Sequence, residues 1–164
     1  MLHLAPMTEA EFKIYYDAAV ADYAQEHVRS GRWSAEEAYE NSAGEYQALL
    51  PAGVETSNNY LYTLRTDEVD GPVGMLWFAN RDQAGKRSAF VYDLRIDPAF
   101  QRRGYATQAF QVLEQKVISL GLSQISLHVF GHNRAARALY EKLGYEPTNI
   151  ILSKSLEPAA ANHS

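Results

Sequence analysis

The sequence predicts a mixed α/β (α+β) domain: a sheet of six to seven strands flanked by about four helices, in the order β-α-α-β-β-β-α-β-α-β-(β). Two observations carry this. Three alternating apolar segments follow one another in mid-chain with no helix between them, which implies antiparallel pairing. A strand–helix–strand run comes next, which implies a right-handed crossover and locally parallel strands. With 164 residues and 46% hydrophobic content, the chain has the size of one domain able to bury its own core.

Residues 2–5 alternate and stop at Pro6, as a short strand does. Thr8 with Glu11 three residues later is a capping box. Phe12, Tyr15, Tyr16, Ala19, Tyr23 and Ala24 then keep helical spacing until Gly31. Ser34 with Glu37 reads as a second box, opening a helix to about Leu50. Residues 60–64 and 73–78 read as strands around a turn at 67–71. The Ala84-Gly85-Lys86 turn leads to a third strand over 89–96. After Pro98 the period changes: Ala106, Ala109, Phe110, Leu113, Val117 and Leu120 form one helical stripe, closed by Gly121. Ile125, Leu127 and Val129 alternate as a strand, and residues 133–143 form a helix ending at Gly144. Residues 150–156 return to strand, with one extra short strand near Tyr145. Residues 1–156 thus read as a single domain, and 157–164 as a flexible polar tail.

Composition narrows the chemistry. The absence of cysteine excludes a disulfide framework, a thiolate-held metal and a cysteine nucleophile, and fits a cytoplasmic setting. A net charge of −5 argues against general binding to nucleic acid or an anionic membrane. No stretch approaches the length of a transmembrane helix, and no signal peptide opens the chain. Residues 8–46 hold nine acids against three bases. That excess reads either as a solvated helical face or as an attraction for cationic substrates.

The informative stretch runs from Val91 to Ala106. A strand ends near Pro98, a loop with Arg102, Arg103 and Gly104 follows, and a helix begins. A helix N-terminus presents unpaired N–H groups and a partial positive charge, both suited to phosphate. The arginines add charge-assisted donors. The loop lacks the Gly-Lys-Ser/Thr of a Walker A sequence and the three glycines of a dinucleotide fold. Physics alone points to an anion site or to an ordinary solvated loop.

Gln101-x-x-Gly104-x-Ala106 resembles the Gln/Arg-x-x-Gly-x-Gly/Ala signature of the GNAT superfamily of acyl-CoA N-acyltransferases. Asn133-x-x-Ala136-x-x-Leu139-Tyr140-x-x-x-Gly144-Tyr145 resembles that family's second signature. The resemblance spans residues 2 to 156 and is clearest from 90 to 146. It implies acetyl-CoA as cosubstrate, no metal, and direct acetyl transfer to an amine.

Carried over residue by residue, it implies that the N–H groups of Gln101, Arg102, Arg103, Gly104, Tyr105, Ala106 and Thr107 cradle the pyrophosphate. Leu94, Arg95 and Ile96 hold the pantetheine arm, with the Leu94 N–H on the thioester carbonyl. Asn133 and Ala136 belong to the cofactor-binding set; Asn133 alone also reads as a helix N-cap. Tyr140 protonates the departing thiolate, against a plainer reading as core packing. A carboxylate is common in the family where Tyr92 stands here. Asp93 is the nearest acid and the candidate base, and its plainer role is a salt bridge. Strand alternation points Tyr92 and Asp93 to opposite faces.

His128 and His132 have a metal-like spacing but sit in a strand and a loop with no third ligand nearby. The resemblance implies a small-molecule amine as acceptor, with a peptide N-terminus or protein lysine as the alternative. It is compatible with a homodimer. A non-catalytic acyl-CoA-binding module is the reading from another class, and Tyr140 argues against it, since a binder needs no leaving-group acid.

Overall fold

The computed structural model describes residues 1–157, so most of the 157–164 tail lies outside the described residues. The chain divides into two compact units, Met1–His128 and a second from Val129 onward. Each is taken by itself.

The first unit is built on a five-stranded sheet in the order β1-β2-β3-β4-β5. Its strands are β1 (Leu2–Pro6), β2 (Asn59–Thr66), β3 (Val69–Gln83), β4 (Lys86–Ile96) and β5 (Gln124–Leu127). The first four pair antiparallel, and β5 joins β4 in parallel after a helical crossover. Three helices belong to this unit: α1 (Glu9–Arg29), α2 (Ala38–Leu49) and α3 (Tyr105–Ser119). The mixed sheet and element order agree with the predicted class. The strand count differs, because residues 150–156 and those near Tyr145 carry no strand. An apolar run such as Ile150-Ile151-Leu152 forms a strand only where a ladder partner is at hand. Ile151 and Leu152 stay 92% and 88% exposed.

α1 starts where its capping box dictates. The Thr8 hydroxyl accepts from the Glu11 N–H at 3.2 Å, and the Glu11 carboxylate accepts from the Thr8 N–H at 3.0 Å. The second predicted box forms only by half. Glu37 accepts from the Ser34 N–H at 3.3 Å, but residues 35–37 stay in a turn and α2 opens at Ala38 without a side-chain cap.

Successive strand residues face opposite sides of the sheet. One face meets α1 and α2 through Ala19, Val20, Tyr46, Leu61, Met75 and Trp77. The other carries Leu64, Leu76 and Phe78, all buried, on the α3 side, where Phe110 and Leu113 are buried too. The edge of α3 is tied down at Gln108, which accepts from the Leu2 N–H at 3.1 Å. Among the described residues, no helix is long and apolar enough to cross a membrane.

The second unit holds α4 (Arg134–Lys142). Asn133 caps it, its side chain accepting from the Ala136 N–H at 3.2 Å. The rings of Tyr140 and Tyr145 lie 5.9 Å apart just beyond.

Candidate active site

The site grows out of an irregularity in β4. Trp77 pairs with Asp93 and Phe78 with Val91, so Tyr92 is an extra residue, a β-bulge. A bulge cancels one step of alternation. The Tyr92 ring stacks on Trp77 at 4.4 Å, and the Asp93 carboxylate accepts from the Tyr15 hydroxyl at 2.8 Å. Trp77, Tyr15 and Tyr92 all belong to the α1/α2 side. Tyr92 and Asp93 therefore share one face, and the expectation that they point apart is corrected.

The same stretch of β4 loses its neighbour. Pairing with β5 covers Ser88 to Val91 and ends there. The Asp97 N–H donates to the Val73 carbonyl at 2.9 Å, so the alternate N–H groups of Asp97 and Arg95 point to β3. Those of Leu94 and Ile96 consequently point to the open side. β3 comes very close behind them: a Cβ on Gly74 would sit 2.1 Å from the Arg95 carbonyl oxygen. That approach fixes the depth of the β4 edge.

Beyond Ile96 the chain makes a 3₁₀ turn, Pro98–Phe100, and enters the loop before α3. The Gln101 amide donates to the Ile96 carbonyl at 3.0 Å and folds the loop back on the strand. Arg102 and Gly104 both take left-handed backbone, at φ 62° and 81°. Gly104 suits its position for that reason, since a Cβ there would meet nothing within 4 Å. Gly104 is the N-cap of α3 and provides no side-chain cap, which leaves the first-turn N–H groups of Tyr105, Ala106 and Thr107 facing outward. Tyr105, a buried residue, anchors the turn, its hydroxyl donating to Glu68 at 2.9 Å. Arg103 lies over the Phe100 ring at 5.6 Å, while Arg102 is exposed.

A cleft of about 490 Å³ opens at this end of β4. Its lining is Leu94, Arg95 and Ile96 of the strand, Asp97, Pro98 and Gln101 of the turn, and Asp22 of α1. Asp93 stands behind it with its side chain 16% exposed and pairs with the Arg95 Nε at 3.0 Å. Arg95 extends its Nη1 to Asp22, also at 3.0 Å. The plainer salt-bridge role weighed for Asp93 is thus present.

Burial pushes the Tyr15 phenol well above its ordinary range, and the Asp93 carboxylate pushes it further, so its hydroxyl stays protonated and donates. Burial, then Asp93, raises Tyr46 to about 12. Burial alone would lower Arg95, but Asp93 outweighs it and keeps the guanidinium charged. Burial raises Asp97.

The predicted site residues fall into two sets. Asp93 to Thr107 come together around one cleft and one helix N-terminus in the first unit. Asn133, Ala136 and Tyr140 share one helix in the second. Sequence reasoning missed Asp22, and it placed Tyr15 on the N-terminal helix without its partner Asp93; the two reach β4 across 73 and 78 residues with no local signal. The side-chain role of Gln101 was also not foreseen.

The model of the acetyltransferase (GNAT) family matches residues 15–145 of this chain. The chain belongs to that family. YycN of Bacillus subtilis (strain 168), named an uncharacterized N-acetyltransferase, is 39% identical over 153 residues, covering 93% of this chain and 97% of YycN. YdgE of the same strain, named likewise, is 35% identical with the same coverage. The crystal structure of YycN matches this GNAT chain with a TM-score of 0.87 at 37% identity, covering 96% of this chain and 100% of that one. The chain is a GNAT N-acetyltransferase.

Proposed function

We propose that this N-acetyltransferase moves an acetyl group from acetyl-CoA directly to the primary amine of a small molecule, as a cytoplasmic enzyme. The observation that supports it best is the open edge of β4. Two outward N–H groups, at Leu94 and Ile96, run into a loop whose left-handed turns lead to the uncapped N-terminus of α3. An extended amide-bearing arm ending in a pyrophosphate fits that sequence of donors.

Acetyl-CoA supplies the activated acyl carbon: the amine nitrogen forms the new C–N bond as the C–S bond breaks. The Leu94 N–H faces the negative charge that develops on the thioester oxygen, a contribution of roughly 3–4 kcal/mol for one such donor. The N–H groups of residues 102–107 and the Arg102 guanidinium hold phosphate, the Gln101 N–H being taken by the Pro98 carbonyl at 3.5 Å. Asn133 joins its cap role to a hydrogen bond on the cofactor arm, next to Ala136. The Tyr140 hydroxyl gives its proton to the departing sulfur, which a phenol can do at neutral pH. The proton lost by the amine leaves to water in the open cleft. Asp93, with both oxygens engaged by Tyr15 and Arg95, provides fixed negative charge on the acceptor side.

The test is thiol release from acetyl-CoA across polyamines, amino acids, aminoglycosides and short peptides, with Tyr140→Phe beside the wild type. Turnover with a small amine, slowed by about 10²-fold or more in the variant while acetyl-CoA affinity holds, is expected. Turnover with peptides alone, or a variant as fast as wild type, would overturn the acceptor class or the role of Tyr140 respectively.

A further inference from the structure

Asp22 holds a distinct place in the cleft. Every other lining residue belongs to the continuous segment from Leu94 to Gln101; Asp22 alone, among the described residues, comes from α1. The strand edge and the turn are engaged by acetyl-CoA in the function proposed above, and this inference rests on that reading. What remains for the acceptor is the wall that α1 provides.

The charges on that wall do not balance. Arg95 is matched by Asp93, whose side chain is 16% exposed and lies 3.0 Å from the Arg95 Nε. Asp22 takes a second contact from the same guanidinium at 3.0 Å, yet its side chain is 61% exposed. One cation faces two carboxylates, so one negative charge is in surplus; of the two, Asp22 is the one that lines the cleft, where Asp97 of the turn adds a further carboxylate on the side engaged by acetyl-CoA. The bond to Arg95 fixes its position, and the Oδ1 atom takes no part in it.

An amine must shed its proton to attack a thioester, so the reacting nitrogen presents no charge at the moment of transfer. A second ammonium elsewhere on the acceptor keeps its charge throughout. We propose that Asp22 is a specificity-determining residue that selects acceptors carrying such a second cationic group, diamines and polyamines, over monoamines of equal length.

The experiment compares kcat/KM for 1,4-diaminobutane and n-butylamine, with acetyl-CoA saturating, in wild type, Asp22→Asn and Asp22→Glu. Wild type is expected to favour the diamine by about two- to fivefold, the scale of one partly exposed ion pair. The preference should collapse toward unity in Asp22→Asn through a rise in KM for the diamine. It should survive in Asp22→Glu and shrink in 0.5 M salt. Equal kcat/KM for the two amines in wild type, or a preference that persists in Asp22→Asn, overturns the assignment. Acetyl-CoA binding without acetylation of either amine overturns it too, while leaving transfer to another amine standing. Failure of acetyl-CoA to bind overturns the proposed function and this inference together.

Discussion

Gly74→Ala is the sharpest structural perturbation the fold offers. A methyl group there would lie 2.1 Å from the Arg95 carbonyl oxygen and 3.1 Å from the Ile96 Cα, both backbone atoms that cannot rotate away. Ordinary contact begins at 3.4 Å, so β4 must retreat by about 1 Å at the Arg95 carbonyl and by a few tenths of an ångström at Ile96. Overpacking of this kind costs roughly 1–3 kcal/mol of stability. A functional cost of similar size comes with it, because the displaced strand carries the Leu94 and Ile96 N–H groups. A misplacement of about 1 Å at a positioning element can cost on the order of 10²-fold in rate. Urea midpoints and thiol-release kinetics check both effects. Gly44→Ala is the control: Gly44 lies within α2, and a Cβ there would meet nothing within 4 Å. That substitution should raise stability by about 0.5–1 kcal/mol and leave turnover alone. A Gly74→Ala protein with wild-type stability and wild-type turnover would refute the reasoning about the depth of the β4 edge.

Further predictions follow from the loop and from the aromatic cluster. Arg102 spends a left-handed conformation on a non-glycine residue. Arg102→Gly should therefore keep stability within about 1 kcal/mol of wild type while weakening acetyl-CoA binding, as calorimetry would report; a variant that unfolds instead speaks against a binding role for the arginine. Tyr46 is raised to about 12 by burial, so the folded protein keeps that proton after the unfolded chain has lost it. The contribution of this one group should be flat below pH 10 and fall between pH 10 and 12, by up to roughly 1.4 kcal/mol per pH unit. Tyr46→Phe should flatten part of that decline in urea titrations at pH 9, 10.5 and 11.5, and an unchanged slope would count against the burial argument.

Local signals were readable and distant ones were not. Thr8 and Glu11 mark the start of α1 because the capping box is a three-residue interaction. The loop from Gln101 to Ala106 is equally local, and the helix start that it marks is where the structure has α3. Ser34 and Glu37 carry the same pattern but deliver one bond of two, since nothing in four residues decides whether the chain enters a helix at once. The bulge at Tyr92 has no sequence mark. It arises from the register of β3 against β4, and it alone brings Asp93 to the same side as Tyr92. Tyr15 and Asp22 matter because α1 packs across β4, a tertiary fact that no spacing encodes. Residues 150–156 show the converse: an apolar run, Ile150-Ile151-Leu152, without a strand, because a ladder needs a partner as well as a suitable sequence.

Backbone amides of β4 give the most direct view of the proposed acetyl-CoA site. Hydrogen exchange and amide chemical shifts, followed residue by residue as acetyl-CoA is added, distinguish the two sides of one strand. The N–H groups of Leu94 and Ile96 should gain protection and shift, together with those from Gly104 to Thr107. Arg95, whose N–H already points to β3, should gain none. Saturating acetyl-CoA that leaves Leu94, Ile96 and the α3 N-terminus unprotected, or that produces no change anywhere in residues 94–107, would contradict the proposed site.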